Sequence, residues 1–225
     1  YWVSERDRGI YDAMNKGIIV ANGQLINLLN SGDVYNGNEV LGVVFQDNKF
    51  QKYDCIAFSW IIKYDNHEYL TCPQPFLLLK KPGWYINHQA FIYKNTIHKI
   101  IGLYSLKYKI TSDDDFYFRI IKEGFKIGIS NNVLVKYDSN SNFSDSFLQK
   151  IETFKVRISY LGLNIKELFY FTHISTKYFI RKLLEVTNLK KFIMFYRKIK
   201  YRYTRQTVEI MNLIGVRILY KKTGK

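Results

Sequence analysis

The chain has 225 residues, with 34 Lys or Arg against 19 Asp or Glu and a formal net charge of +15. At 47% apolar and 24% charged it can bury a sizeable core, which excludes wholesale disorder. Cys55 and Cys72 lack CxxC spacing, excluding a disulfide scaffold and a cysteine zinc site, and no uncharged run is apolar enough for a membrane span.

In chain order, apolar residues at 10, 14, 18 and 21 predict a helix over Ile10–Asn22 that stops at Gly23. Leu25–Leu29 reads as a buried strand broken by the turn composition Asn30-Ser31-Gly32-Asp33. Val40–Phe45 reads as a second β-rich run. Tyr53–Tyr64 and Tyr69–Leu79 are ambiguous, the latter interrupted by Pro73 and Pro75. Ser112–Glu123 reads as a helix with Ser112 as N-cap, acids in its first turn and Gly124 just past its end. Phe125–Ile129 and Val133–Tyr137 read as short strands, and Asp138–Ser146 as a polar loop. Helices alternating with strands predict an α/β fold with a mostly parallel sheet.

Charge divides the chain. Residues 150–225 carry 18 Lys or Arg against four acids, whereas the rest is near neutral with 16 against 15. A near-neutral α/β body over 1–149 and a basic amphipathic helical tail over 150–225 follow. In the tail, Leu189, Phe192, Ile193, Tyr196, Ile199 and Tyr203 share a helical face that Lys190, Lys191, Arg197, Lys198 and Lys200 largely avoid. That pattern suits a helix lying on an anionic membrane surface, or one packed on the body with a solvated basic face. Aromatics among Lys and Arg also suit single-stranded nucleic acid. No RNP-like or helix-turn-helix pattern supports that partner.

Three segments can carry chemistry. Asp33 closes the strand-then-turn Leu25–Asp33, at the strand end where α/β folds bind ligands. It reads as a ligand for a hard cation bridging phosphate oxygens, or as a turn residue bonding its own backbone. Asp113, Asp114 and Asp115 with Arg119 one turn later offer a general base, or a capped helix start in which Ser112 and Asp115 form a capping box. Asn87-His88-Gln89 follows the aromatic approach Trp84-Tyr85-Ile86 and reads as a cleft segment or as a hydrogen-bonded core histidine. No nucleophile elbow, dinucleotide fingerprint or phosphate-binding loop is present.

Ser4-Glu5-Arg6-Asp7-Arg8-Gly9-Ile10-Tyr11-Asp12-Ala13-Met14-Asn15-Lys16-Gly17 followed by Leu28-Leu29-Asn30-Ser31-Gly32-Asp33 strongly resembles the family 2 glycosyltransferases of bacterial surface-polysaccharide assembly. Asn87-His88-Gln89-Ala90-Phe91 is similar to that family's HQ segment, and Ser112-Asp113-Asp114-Asp115-Phe116 with Arg119 to its later acidic motif. The resemblance runs from about residue 1 to about residue 160. It implies a GT-A fold (Rossmann-like, mostly parallel, with flanking helices) and inverting transfer from a nucleotide-sugar to a hydroxyl of a saccharide or lipid-linked acceptor. It implies Asp113 as base, Asp33 as ligand of Mg²⁺ or Mn²⁺, and Asp12, Asn15, Lys16, His88, Gln89, Asp115 and Arg119 as substrate-binding residues. Ser31 stands where relatives often have a first Asp, and Ser112 where many have Glu; the base is Asp113 or, one residue on, Asp114. The basic tail is expected to place the enzyme on the cytoplasmic face of the membrane without crossing it. The resemblance begins past the family's first strands, so the expectation is of a chain lacking those strands and inactive alone. The competing expectation is a basic membrane- or nucleic-acid-binding module without catalysis.

Overall fold

The computed structural model describes residues 4–46, 49–64, 67–73, 86–138 and 146–187. Its centre is β3 (Cys55–Tyr64), whose residues 55–60 are all buried, as a strand covered on both faces requires. Alternation along β3 divides two cores. Cys55 and Ala57 face one cluster, Ile56, Phe58, Trp60 and Ile62 the other. The first is covered by α1 (Ile10–Val20), α4 (Ile97–Ile101) and α5 (Ser112–Lys122) through Tyr11, Met14, Ile18, Ile97, Phe116 and Ile120. The second is covered by α2 (Val40–Gln46) and α3 (Lys49–Lys52), with Val44 fully buried.

The remaining strands are β1 (Leu25–Asn27), β2 (Val34–Tyr35), β4 (His67–Thr71), β5 (Phe91–Lys94) and β6 (Ile127–Asp138). The sheet runs β1-β5-β3-β6-β2, with β4 paired to the outer half of β3. The chain is α/β as expected, but among the described residues only β3–β6 is parallel. The other four pairings are antiparallel. The physical reason is local: β4 returns directly after β3, and β5 enters between β1 and β3 against both.

Three further expectations change. Val40–Phe45 forms α2 rather than a strand, because a helical turn puts Val40, Leu41 and Val44 together on the sheet and tertiary burial outweighs β-propensity. The two short strands after α5 are one, β6, whose register against β3 shifts around Ser59, opposite the polar Ser130-Asn131-Asn132. Thr111, not Ser112, is the N-cap of α5, and Ser112 Oγ instead donates to the Ser105 carbonyl at 2.7 Å. The capping box therefore does not form. Gly124, with φ of 76°, ends the helix as its position predicts.

Beyond β6, α6 (Phe147–Leu161) and α7 (Ile165–Val186) form an antiparallel pair. The boundary drawn at 149/150 falls inside α6, which is packed on α5: Phe118 stacks on Tyr160 at 4.9 Å beside buried Val156. Among the described residues no helix is long and apolar enough to cross a membrane. Trp84 and Tyr85, most of the Asp138–Ser146 loop and the tail face from Leu189 to Tyr203 lie outside the described residues.

Candidate active site

The turn after β1, the 3-10 turn His88–Ala90 leading into β5, and the first turn of α5 meet at one end of the sheet. Asn27 fastens the first two: its side-chain amide donates to the carbonyls of Gln89 (2.9 Å) and Phe91 (3.0 Å), and Tyr35 Oη donates to its Oδ1 (2.9 Å). Asp33 Oδ2 accepts from Gln89 Nε2 at 2.6 Å, while the Asp33 backbone N–H closes the turn onto the Asn30 carbonyl at 3.1 Å. The side chain therefore serves the neighbouring segment and not its own backbone. Burial pushes the Asp33 carboxyl upward, against the opposing pull of the Gln89 hydrogen bond. Asp33 also lines an open cleft of about 400 Å³ with Leu29, Val34, Tyr35, Asn38 and Leu41.

His88 bridges to the third element. The Asn30 side-chain amide nitrogen lies 3.1 Å from Nε2, so Nε2 accepts and the ring proton of the neutral form sits on Nδ1. Nδ1 faces Asp113 Oδ2 at 3.7 Å. The other oxygen, Oδ1, accepts from Tyr11 Oη at 2.9 Å, and that hydroxyl is shared with the Ile110 carbonyl at 2.7 Å. Asp33, Gln89, His88 and Asp113 thus form one polar line.

The three consecutive acids of α5 have different surroundings. Asp114 lies against α6, where Thr153 Oγ1 donates to it at 3.3 Å; burial and the Asp113 charge push it up to about 8. Asp115 is buried and accepts from Arg119 Nε (2.9 Å) and Tyr160 Oη (2.8 Å). Arg119 also donates to the carbonyls of Ile101 and Leu103, stapling that loop. Neither Asp115 nor Arg119 is brought to the polar line.

The polar residues of α1 are likewise engaged elsewhere. Asp12 accepts from the Arg8 backbone N–H and guanidinium, which hold its carboxyl down to about 2. Asn15 is buried and exchanges two hydrogen bonds with the Tyr104 backbone, at 2.8 and 2.9 Å. Lys16 donates to the Arg6 carbonyl at 2.7 Å and pairs with Glu5 at 3.0 Å.

Two residues given no role by sequence reasoning position the site. Tyr11 lies inside the segment that carries the resemblance, with nothing in its local pattern to single it out. Glu152 of α6 is buried and accepts from the backbone N–H groups of Lys109 (3.0 Å), Ile110 (2.8 Å) and Thr111 (3.3 Å), fixing the approach to α5. A signal for it exists. It is one of only four acids among residues 150–225, and a carboxylate kept in so basic a stretch points to a committed partner.

Among the described residues no group of three or more His, Cys, Asp or Glu side chains gathers as a metal site. Asp33 is the carboxylate at the cleft end of β1. A single carboxylate is a donor set that suits a hard cation whose shell is completed by phosphate oxygens and water.

No family model matches the chain. It is 32% identical over 124 residues to an uncharacterized glycosyltransferase of Mycobacterium tuberculosis, covering 53% of this chain and 47% of that protein. It is 26% identical over 148 residues to a PGL/p-HBAD biosynthesis glycosyltransferase of Mycobacterium bovis, covering 65% and 57%. The fold matches the crystal structure of S. aureus TarS 1-349 in complex with UDP-GlcNAc at a TM-score of 0.52 and 14% identity, over 72% of this chain and 50% of that one. This chain is glycosyltransferase-like in sequence and in fold. It spans about half the length of the curated relatives it matches.

Proposed function

We propose that the protein takes part in glycosyl transfer of the inverting, family 2 type, from a nucleotide-sugar to a hydroxyl of a saccharide or lipid-linked acceptor in surface glycolipid or polysaccharide synthesis. The observation that carries this reading is the polar line: Asp33 meets Gln89 at 2.6 Å, and the adjacent His88 faces Asp113 at 3.7 Å. A carboxylate on the diphosphate side and another on the acceptor side are thereby held by consecutive residues of one turn.

In this reading Asp113 Oδ2 takes the proton of the acceptor hydroxyl, since Oδ1 is held by Tyr11. The acceptor oxygen forms its bond to the anomeric carbon as the bond to the diphosphate oxygen breaks on the opposite face. The proton remains on Asp113 and the nucleoside diphosphate departs. One displacement inverts the centre, by the same geometry that distinguishes inverting glycosidases. His88 Nδ1–H steadies the carboxylate before the proton arrives. Asp33 is the residue that would hold a divalent cation; such an ion, Mg²⁺ or Mn²⁺, supplies charge neutralisation to the leaving diphosphate. The relatives' names, one of them in PGL/p-HBAD biosynthesis, agree with a lipid-linked acceptor. We place the protein on the cytoplasmic face of the membrane, held peripherally by its basic C-terminal region.

Thermal shift with nucleoside diphosphates, with and without Mn²⁺, tests the reading. The expected result is a stabilisation enhanced by Mn²⁺ in the wild type and lost in Asp33→Ala. An unchanged Mn²⁺-dependent shift in Asp33→Ala removes Asp33 from that role, and no shift with any nucleoside diphosphate in a protein of the relatives' full length overturns the function.

A further inference from the structure

The two sides of α7 are unlike. One packs on α6: Phe171 stacks on Phe154 at 4.6 Å, Glu167 pairs with buried Arg157 at 2.6 Å, and the Arg157 guanidinium lies 4.7 Å over Tyr170. At about 100° per residue, Ile165, Phe169, Phe179, Ile180, Leu183 and Val186 fall within an arc of about 120° on the other side, although Phe179 also meets Phe147 of α6 at 5.1 Å. All six are 53–84% exposed. Thr172 and Thr176 are the polar residues inside that arc, and no charged residue enters it. Lys166 and Lys177 line one margin and Lys182 the other.

We propose that this outer face of α7 is the surface by which the protein lies on an anionic lipid bilayer. This deepens the membrane part of the proposed function and rests on it, but owes nothing to the cleft. Three observations select lipid as the occupant. The apolar arc is bordered on both margins by lysines, whose stems and ammonium groups suit the boundary between acyl chains and headgroups. Residues 187–225, which follow α7 in the sequence, have eleven Lys or Arg and a single acid, Glu209, a composition that complements anionic headgroups. A second copy of the same face would instead bring lysine margins of like sign together. With 22 residues α7 is about 33 Å long, yet it is not apolar enough to cross, so it lies in the plane of the interface.

The test is co-sedimentation of the whole chain with vesicles of phosphatidylcholine, with and without phosphatidylglycerol. The wild type is compared with Phe169→Glu/Leu183→Glu and with Lys190→Glu/Lys191→Glu. Wild type should prefer the anionic vesicles, and the apolar-face pair should weaken that binding about tenfold or more while the far-ultraviolet dichroism and its melting curve are kept. Independently, Phe169→Trp should shift its emission to the blue on anionic vesicles and be quenched by brominated acyl chains. Wild-type-like binding by the apolar-face pair, with loss in the lysine pair, keeps the membrane reading and overturns the assignment to α7. No vesicle binding by the wild type overturns both. A wild-type dimer in light scattering that the apolar-face pair splits also overturns the proposal, in favour of a second copy.

Discussion

Helix α1 and the first turn of α5 carry most of the polar residues that stand out in the sequence, and they use them in opposite ways. On α1, Asp12, Asn15 and Lys16 are bonded to Arg8, to the Tyr104 backbone and to Arg6, so each binds the chain to itself. On α5, Asp113 gives one oxygen to Tyr11 and leaves the other toward His88. In this fold the polar side chains of α1 are engaged by the chain itself, and from the same helix the hydroxyl of Tyr11 reaches Asp113.

The sharpest way to break this contrast is Asp113→Asn. In a protein of the relatives' full length, nucleotide-sugar turnover should fall by about 10²–10⁴-fold, with donor binding retained, since a proton acceptor is lost. If Asp114→Asn is the damaging change and Asp113→Asn is tolerated, the base is one residue further on. Glu152→Ala should come next. It removes the acceptor of three backbone N–H groups before α5 and should cost about 3 kcal/mol in urea unfolding, with Glu152→Gln intermediate. Asn15→Ala should cost about 2 kcal/mol by the same measurement, because both of its bonds are buried. Binding of nucleoside diphosphate, measured below the melting point, should be unchanged; a loss of affinity without a loss of stability would return Asn15 to the substrate.

The smallest effect concerns pH. Asp114 is raised to about 8 in the fold and titrates near 4 when unfolded, so between these values the native state holds the extra proton. Its contribution to stability is full below about pH 4, declines as pH rises toward 8 and is flat beyond. Asp114→Asn should flatten that slope and raise the melting temperature at pH 8 relative to the wild type. An unchanged slope would show that Asp114 is charged in the fold.

The elements easiest to read from sequence are those fixed by local rules. The α1 periodicity and the Gly124 stop of α5 depend on neighbours in sequence, whereas the buried run expected over Leu25–Leu29 shortens to β1, in which Ile26 alone is buried. The α2 segment misleads because Val40, Val43 and Val44 favour strands locally, while the uncovered second face of the sheet needs a helix. Strand direction misleads for a similar reason: alternation of helix and strand says nothing about β5 inserting between β1 and β3. At the site, Asp33, His88, Gln89 and Asp113 are legible as chemical types at suggestive positions. Asp115 and Arg119 are equally suggestive, and only the positions of Tyr160 and the 101–103 loop separate them from the other four. Glu152 lies 39 residues beyond Asp113, a distance that no local pattern spans.

The side chain of Asn27 has a consequence for motion. Because it joins the end of β1 to the carbonyls of Gln89, within the His88–Ala90 turn, and of Phe91, just after it, the two segments are tied to move as one. The meeting of Asp33 with Gln89 is then set by the resting fold. Asn27→Ala would convert a fixed gauge into a variable one, visible as heterogeneity in time: microsecond-to-millisecond exchange broadening of the Gln89 side-chain amide resonances that the wild type lacks.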